Sequence, residues 1–345
     1  MFLIVGEIIG DLGIKGDFED IINKEKQINN QSPKSYQNLP ISQKFWELME
    51  KEGYIYVENW DGFLYRIGMN KNDVEYIISR WAHFKYTKEV LDQFPNLKKI
   101  FLFQIWNDNV NLDYCKEKWI EVINFISEKS IYSVAEQTIT SLIWWIRQVF
   151  TTGCNLKNWN YSRQPIWKNL EDITIWVMWC GRIWQKVIDL LQVFPCKIIT
   201  YDIVFGFNKK EDWLVNLEKN LTEKWVKLTG DLNKFLQKSN YISVHIPGFD
   251  ENLWLLNYSK LQNIDWIVNM ARAGIVVEED ILKLLDKEKL EFYISDVVIW
   301  EPYINKINKK LINHPKVFIT PHIWANTIQV QENIIEKFLD FFTNQ

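Results

Sequence analysis

The sequence predicts an α/β protein of two domains with parallel sheets, and three observations predict it. Segments patterned as strands alternate with segments patterned as helices from about Phe45 to the end of the chain. Such alternation implies parallel strands joined by helical crossovers that cover both sheet faces. The chain has 345 residues, enough for two domains of ordinary size. Residues 173–202 then read as strand, tight turn, helix and second strand.

Taken in order, residues 23–44 are polar, rich in Asn, Gln, Lys and Ser, and are expected to form a long loop. Residues 45–52 have helical spacing, and Tyr54–Val57 reads as a strand. Residues 74–80 and 97–103 are strand-like, with a helix at 88–94 between them. A helix ending near Lys116 passes into a strand that stops near Asn124. Ser133 with Glu136 three residues on has the spacing of a capping box, and is expected to open a helix that runs to Val149. Residues 153–170 are expected to be loop. Strands follow at 173–178 and Lys197–Tyr201, with a helix at 183–191 between them. The strand at 241–246 stops at Pro247, which has no N–H to donate. Strands at Trp266–Asn269 and 291–298 enclose a helix at 278–285. The strand at 317–320 ends at Pro321, and an amphipathic helix at 327–342 closes the chain.

The unit at 173–202 carries the most information. A strand, turn, helix and strand with an acid, Asp202, about 20 residues past the turn is the layout of a nicotinamide dinucleotide site. Such a turn wants G-x-G-x-x-G. Here it reads Trp179-Cys180-Gly181-Arg182-Ile183-Trp184, with tryptophan in place of the first and third glycines. The chain has 18 Trp against 13 Gly, although glycine is ordinarily about 7% of residues. Trp119 and Trp225 both sit where a helix should stop before a strand, a position that favours glycine. Lysine far outnumbers arginine, and Ile and Asn are abundant, as in the product of an AT-rich gene. Some bacteria read the codon UGA as glycine. Decoding such a gene with UGA as tryptophan would write Trp at a subset of glycines, and predicts UGA at Trp179, Trp184 and Trp324 and UGG at Trp159. The competing reading is a real protein with a ruined cofactor turn.

Bulk composition excludes other classes. The chain is 47% hydrophobic and 24% charged with a formal net charge of −4, which gives no reason to expect a nucleic acid or an anionic membrane as partner. Cys115, Cys154, Cys180 and Cys196 form no C-x-x-C pair and no metal-ligand spacing; reduced thiols in a cytoplasmic protein, with no metal, are expected. The apolar start lacks a basic segment and a small-residue cleavage site, so no signal peptide is expected. No apolar run is long enough to span a bilayer.

Three further segments follow strands. They are Asn269-Met270-Ala271-Arg272-Ala273-Gly274, Asp296 to Pro302 with Glu301 in it, and Thr320-Pro321-His322-Ile323-Trp324-Ala325. Reduction of a 2-keto acid needs a cation for the carboxylate and carbonyl, a proton donor for the new alkoxide, and a carboxylate that keeps the donor protonated near neutral pH. Arg272, His322 and Glu301 fit those catalytic roles in that order. His322 alone reads as a structural histidine, and Arg272 alone as a surface ion pair. The combination reverses both readings. His83, His245 and His314 are expected to be structural or surface residues.

This set resembles the D-isomer-specific 2-hydroxyacid dehydrogenases, the family of phosphoglycerate, glycerate and D-lactate dehydrogenases. The likeness runs over residues 78–333. The family's N-x-A-R-G-G-x-V-D-E is matched from Asn269 with Ala273 and Val277 as departures, and its T-P-H-I-G-A is matched from Thr320 with Trp324 for glycine. Trp81, Trp106, Trp119, Trp167, Trp176, Trp179, Trp184, Trp254, Trp266 and Trp324 fall where members carry glycine, whereas Trp159 is taken as a genuine tryptophan. The resemblance implies two Rossmann/flavodoxin-like domains. A substrate domain of residues 1–140 plus 321–345 would hold an inserted NAD domain of residues 141–320. It implies NAD as cofactor, lying along Gly181, Arg182, Ile183, Asp202, Ile246, Met270, Ala271, Arg272, Asp296, His322 and Ala325. Asp296 reads equally as a helper behind those contacts. It implies a small 2-hydroxy or 2-keto acid as substrate and a homodimer as the working form. Leu102-Phe103-Gln104 departs from the Arg-Ala-Gly that members often carry before their substrate-contacting loop, which puts phosphoglycerate in doubt, while Gln331-Glu332-Asn333 resembles that branch and leaves a phosphoglycerate dehydrogenase-like activity open. The alternative from another class is an inactive binding or regulatory protein on the same scaffold, with a blocked turn.

Overall fold

The computed structural model describes residues 2–5, 40–57, 71–79, 85–104, 107–162, 167–208, 210–299, 301 and 305–344. Most of the polar stretch at 23–44, together with His83, Trp81, Trp106, Trp300 and Pro302, lies outside the described residues. The chain divides into two compact units, residues 1–130 with 326–345, and residues 131–325.

The first unit holds a five-stranded sheet in the order β2-β1-β3-β4-β5, with every pair parallel. Its strands are β1 (Phe2–Val5), β2 (Tyr54–Val57), β3 (Tyr76–Ser79), β4 (Lys99–Leu102) and β5 (Glu121–Asn124). Helices α1 (Pro40–Glu52), α2 (Lys88–Leu91) and α3 (Leu112–Glu117) connect them, and α11 (Ile328–Thr343) returns to this unit at the end of the chain. Residues 40–44, expected as loop, are the first turns of α1. β4 shows why two layers form. Ile100 and Leu102 pack with Leu91, Tyr114 and Cys115 on one face, while Phe101 points to the other and meets Phe338 of α11 at 5.4 Å between ring centroids. The strand period of two therefore feeds both faces, and each is covered by helices.

The second unit begins within α4 (Lys129–Ile146) and continues through α5 (Val149–Lys157). Two sequence expectations are corrected here. α4 starts at Lys129, so Ser133 and Glu136 sit inside the helix instead of capping it, and part of the expected loop at 153–170 is α5. The strands are β6 (Thr174–Met178), β7 (Lys197–Tyr201), β8 (Lys227–Thr229), β9 (Tyr241–Val244), β10 (Trp266–Asn269), β11 (Phe292–Ser295) and β12 (Val317–Ile319). The helices between them are α6 (Arg182–Leu191), α7 (Asp212–Glu223), α8 (Leu232–Lys238), α9 (Glu278–Asp286) and α10 (Lys306–Ile312). The sheet order is β12-β11-β10-β9-β6-β7-β8, all parallel. On β6, Ile175 and Val177 enter one core layer and Trp176 and Met178 the other. α6 docks through Trp184, Val187, Ile188 and Leu191, the spacing of one helical face.

Backbone geometry singles out particular tryptophans. Eight described non-glycine residues have positive φ, and five of them are Trp: Trp119 at 60°, Trp159 at 60°, Trp179 at 93°, Trp225 at 60° and Trp254 at 58°. Trp119, Trp159 and Trp225 end α3, α5 and α7 in the same way. The amide of Trp119 donates to Lys116 O (3.3 Å) and that of Ile120 to Cys115 O (2.8 Å). Trp159 to Leu156 (2.9 Å) with Asn160 to Asn155 (2.9 Å), and Trp225 to Thr222 (3.0 Å) with Val226 to Leu221 (3.0 Å), repeat the pattern. This paired closure is the Schellman motif, whose left-handed position is usually glycine. Trp159, read from the sequence as a genuine tryptophan with a UGG codon, has the geometry of Trp119 and Trp225, and that geometry predicts UGA there instead. Trp176, Trp184, Trp266 and Trp324 have no positive φ, so the backbone does not mark them.

Candidate active site

All seven strands of the second sheet run the same way, so their C-terminal ends share one edge. Chain order reverses at β6, with β7 and β8 to one side and β9 to β12 on the other. Open α/β sheets place ligands outside the strand ends at such a reversal.

The turn after β6 occupies this point. The Trp179 amide donates to Tyr201 O at 2.7 Å. Gly181 is the N-cap of α6 and has no capping side chain, and a helix leaves its first amides, here from Arg182 and Ile183, without intrahelical partners. Those amides and the helix dipole favour an anion. The indole of Trp179 lies beside this path, since a Cβ placed on Gly181 would sit 3.5 Å from its ring. Trp184 is fully buried, and its indole N–H has no partner among the described residues. Burial pushes the Cys180 thiol up to about 12, which leaves no thiolate nucleophile in the turn. Asp202 follows β7, is 3% exposed, and accepts the Val204 amide at 3.1 Å. Burial raises its carboxyl above the usual range, against the pull of nearby backbone amides. The switch point, the open helix end and the acid fit a dinucleotide; the Trp179 indole is the element that does not.

The other predicted residues stand on neighbouring strand ends. Asn269 closes β10 with its side chain, accepting the Ala271 amide at 3.1 Å and donating to Arg272 O at 3.2 Å. This turn aims the chain at Arg272, whose guanidinium donates to Ala271 O at 3.2 Å and lies 5.5 Å from the Trp324 ring centroid. The His322 ring meets the same indole at 5.0 Å. His322 Nδ1 donates to Glu301 Oε1 at 2.7 Å, with both side chains 17% exposed. That bond fixes the imidazole so that Nε2 is the atom left to act.

Asp296 holds the loop on which His322 stands. It is fully buried. One carboxylate oxygen accepts the Thr320 hydroxyl and the Ile323 amide (3.0 Å), the other accepts the Trp324 amide (2.8 Å), and its own carbonyl accepts the His322 amide (2.8 Å). Burial raises the Asp296 carboxyl, while these donors and the charge of His322 oppose the shift. His322 itself sits at φ 56°. Ile246, Met270 and Ala271 are only 2%, 1% and 5% exposed, so the structure presents little of them to a cofactor. Ala325 is the last residue of the unit. His245, set aside as structural, bonds Ser243 Oγ at 2.9 Å, and burial pushes its imidazole down to about 3. The structure thus gathers Arg272, Glu301, His322 and Asp296 at one place and Gly181, Arg182, Ile183 and Asp202 at another along the same sheet edge. The anchoring roles of Asn269 and Thr320 were not read from the sequence. An Asn directly after an apolar strand was the signal for the first, because its side chain closes turns readily.

A doubly wound parallel sheet with a dinucleotide turn at its switch point, and an imidazole–carboxylate pair beside an arginine on the same edge, define a nicotinamide-dependent dehydrogenase. Residues 139–323 match the sequence profile of the D-isomer specific 2-hydroxyacid dehydrogenase, NAD binding domain. The chain belongs to the D-isomer specific 2-hydroxyacid dehydrogenase family, and it is an NAD-dependent oxidoreductase of 2-hydroxy acids. It is 30% identical over 268 residues to D-lactate dehydrogenase of Streptococcus agalactiae, covering 72% of this chain and 77% of that one. It is 28% identical over 266 residues to hydroxypyruvate reductase of Thermotoga maritima, covering 76% and 81%. The fold matches that of D-lactate dehydrogenase from Aquifex aeolicus, solved with NAD and lactic acid, with a TM-score of 0.74 at 22% identity over 99% of this chain and 94% of that one.

Proposed function

We propose that the chain interconverts a small D-2-hydroxy acid of the lactate or glycerate type and its 2-keto acid, with Arg272, Glu301 and His322 carrying the reaction. The observation that carries this reading is the 2.7 Å bond from His322 Nδ1 to Glu301, with Arg272 against the same indole as the imidazole. Bound NADH supplies the hydride to the carbonyl carbon. Arg272 pairs with the substrate carboxylate and polarises the carbonyl. His322 Nε2 gives its proton to the oxygen as charge develops there, and Glu301 stabilises the protonated ring. In the oxidation direction the same nitrogen takes the hydroxyl proton. Asp296 acts behind these groups as the anchor of the His322 loop, and Asp202 receives the adenine-side ribose hydroxyls.

The D-lactate dehydrogenase relatives support a small unphosphorylated substrate. Leu102 and Phe103 are buried apolar residues and offer no cation to a phosphate. In the proposed division, residues 1–140 with 321–345 form the substrate domain and 141–320 the NAD domain. The working form is a cytoplasmic homodimer, a reading supported by family resemblance and by four cysteines that form no disulfide. No helix among the described residues is long and apolar enough to cross a membrane.

His322→Ala is the direct test. Turnover of pyruvate or hydroxypyruvate with NADH should fall by roughly 10²–10⁴-fold, the range for loss of a general acid. Undiminished turnover would remove His322 from the mechanism. A preference for 3-phosphohydroxypyruvate over both would overturn the substrate class.

A further inference from the structure

Helix α9 opens with three acids, Glu278, Glu279 and Asp280. Acids in a first helical turn ordinarily complement the dipole from solvent. Asp280 fits that pattern, pairing with Lys283 at 2.8 Å near the surface. Glu278 does not, because it is 2% exposed. Its Oε1 accepts the Ile299 amide at 2.8 Å and its Oε2 accepts Asn308 Nδ2 at 2.6 Å. Asn308 is itself fully buried. Its Oδ1 accepts the Asn305 amide at 2.9 Å, and its own amide donates to the Asn305 side chain at 2.9 Å, a capping box that starts α10. One carboxylate therefore grips the chain before Glu301, at Ile299, and after it, at the start of α10. Glu301 makes a weaker local bond, from its amide to Val298 O at 3.3 Å.

The surroundings do not favour a carboxylate for its own sake. Glu279 and Glu301 add like charge, the ring of Tyr293 lies in the same environment, and burial pushes the Glu278 carboxyl up to about 7. What the carboxylate supplies here is two acceptors at once, for the Ile299 amide and for Asn308 Nδ2, which a neutral amide does not offer. We infer that Glu278, acting with Asn308, is a positioning residue for proton transfer: it sets where the Glu301 carboxylate stands against His322. This rests on the roles given above to Glu301 and His322.

Glu278→Gln tests it. A glutamine can accept from Ile299 or from Asn308 but not from both, since its nitrogen is a donor. Three readouts on keto-acid reduction by the full chain are expected together. Turnover falls about tenfold, in keeping with small misplacements near the chemistry. KM for NADH stays the same. The alkaline limb of kcat/KM moves to lower pH by about one unit, because a displaced carboxylate favours the imidazolium less. The double variant Glu278→Gln/Asn308→Asp exchanges donor and acceptor, keeps one buried charge, and should return the limb to its place. If Glu278→Gln lowers Tm but leaves the limb unmoved, Glu278 is only a staple of the fold and the inference is overturned. If Glu278→Gln does not fold, Asn308→Ala removes one of the two grips and is read the same way. Glu301→Gln is run beside them. A limb that Glu301→Gln fails to move would sink the mechanism itself, and this inference with it; a limb moved by Glu301→Gln and not by Glu278→Gln sinks this inference alone.

Discussion

Replacing Trp119, Trp159 and Trp225 with glycine is expected to stabilise the protein, although it deletes three of its largest side chains. Each has φ of 60° and closes a helix through a Schellman pair. Holding an L-residue with a Cβ in that region costs about 1–2 kcal/mol. Glycine removes this strain but gives the unfolded chain more freedom, which returns about 0.5–1 kcal/mol. Burial decides the sign. The three side chains are 92%, 95% and 91% exposed, so their removal forfeits almost no packing. The net gain is about 0.5–1 kcal/mol per site, or about 2 kcal/mol for three separated sites if they add. Trp159 and Trp225 lie in the same unit, and their pair should raise its melting temperature by roughly 2–8 °C at about 2–4 °C per kcal/mol. Trp144, inside α4, serves as the control of opposite sign, since glycine in a helix interior costs about 1 kcal/mol. Calorimetry on the chain as written, the triple variant and Trp144→Gly tests the reasoning. A triple variant no more stable than the parent would refute it.

The gene should carry UGA at Trp119, Trp159, Trp179, Trp225 and Trp254, and peptide mass spectrometry of protein from its native source should find glycine there; UGG codons with intact tryptophan would remove the decoding explanation. Trp179→Gly should tighten NADH binding about tenfold or more, since overpacking costs about 1–3 kcal/mol, and equal affinity in a fluorescence titration would show that the indole leaves the path open. Asp202 should make NADH the better cofactor than NADPH by repelling a 2′-phosphate, and Asp202→Ser should narrow the ratio of kcat/KM values; equal use of both by the parent would contradict the assignment. Stability should fall as pH rises from about 4.5 to about 7, because folding raises the Glu278 carboxyl from 4.5 to about 7 and the folded state then holds the proton more tightly than the unfolded one. Urea midpoints at both ends of that window measure this, and Glu278→Gln should flatten the slope.

The stretch from β6 to β7 was the most legible part of the chain, whereas α7, β8, α8 and α10 of the same unit were not singled out. β6, α6 and β7 are long, periodic and bounded by turn residues, so pattern alone placed them and put Asp202 at the end of β7. β1 was missed as a strand: four apolar residues at the start of a chain carry no period, and only pairing with β2 and β3 defines them. The start of α4 was misplaced because Ser133 and Glu136 have the spacing of a cap, yet apolar packing by Val134 and Ala135 lets the helix run through them. Of the site, Arg272, Glu301 and His322 were readable because each follows a strand in a segment with little else to do. The role of Glu278 was not: it falls on the last position of the family motif matched from Asn269, but nothing in the sequence shows that it is buried and holds Ile299 and Asn308. The left-handed backbone at Trp159 was not legible for a related reason: its neighbours in sequence do not reveal it.

The loop that carries His322 has a consequence for how the enzyme meets its substrate. Asp296 uses both carboxylate oxygens and its carbonyl on that loop, and the histidine is kept at φ 56° by those bonds. A residue in that region persists only where its surroundings over-determine it. The backbone that carries His322, the proposed proton donor, is thus held by bonds within the fold itself. In the proposed mechanism the Nδ1 bond to Glu301 leaves Nε2 for the substrate, and substrate binding energy is left for desolvation and for closing the distance to the carbonyl.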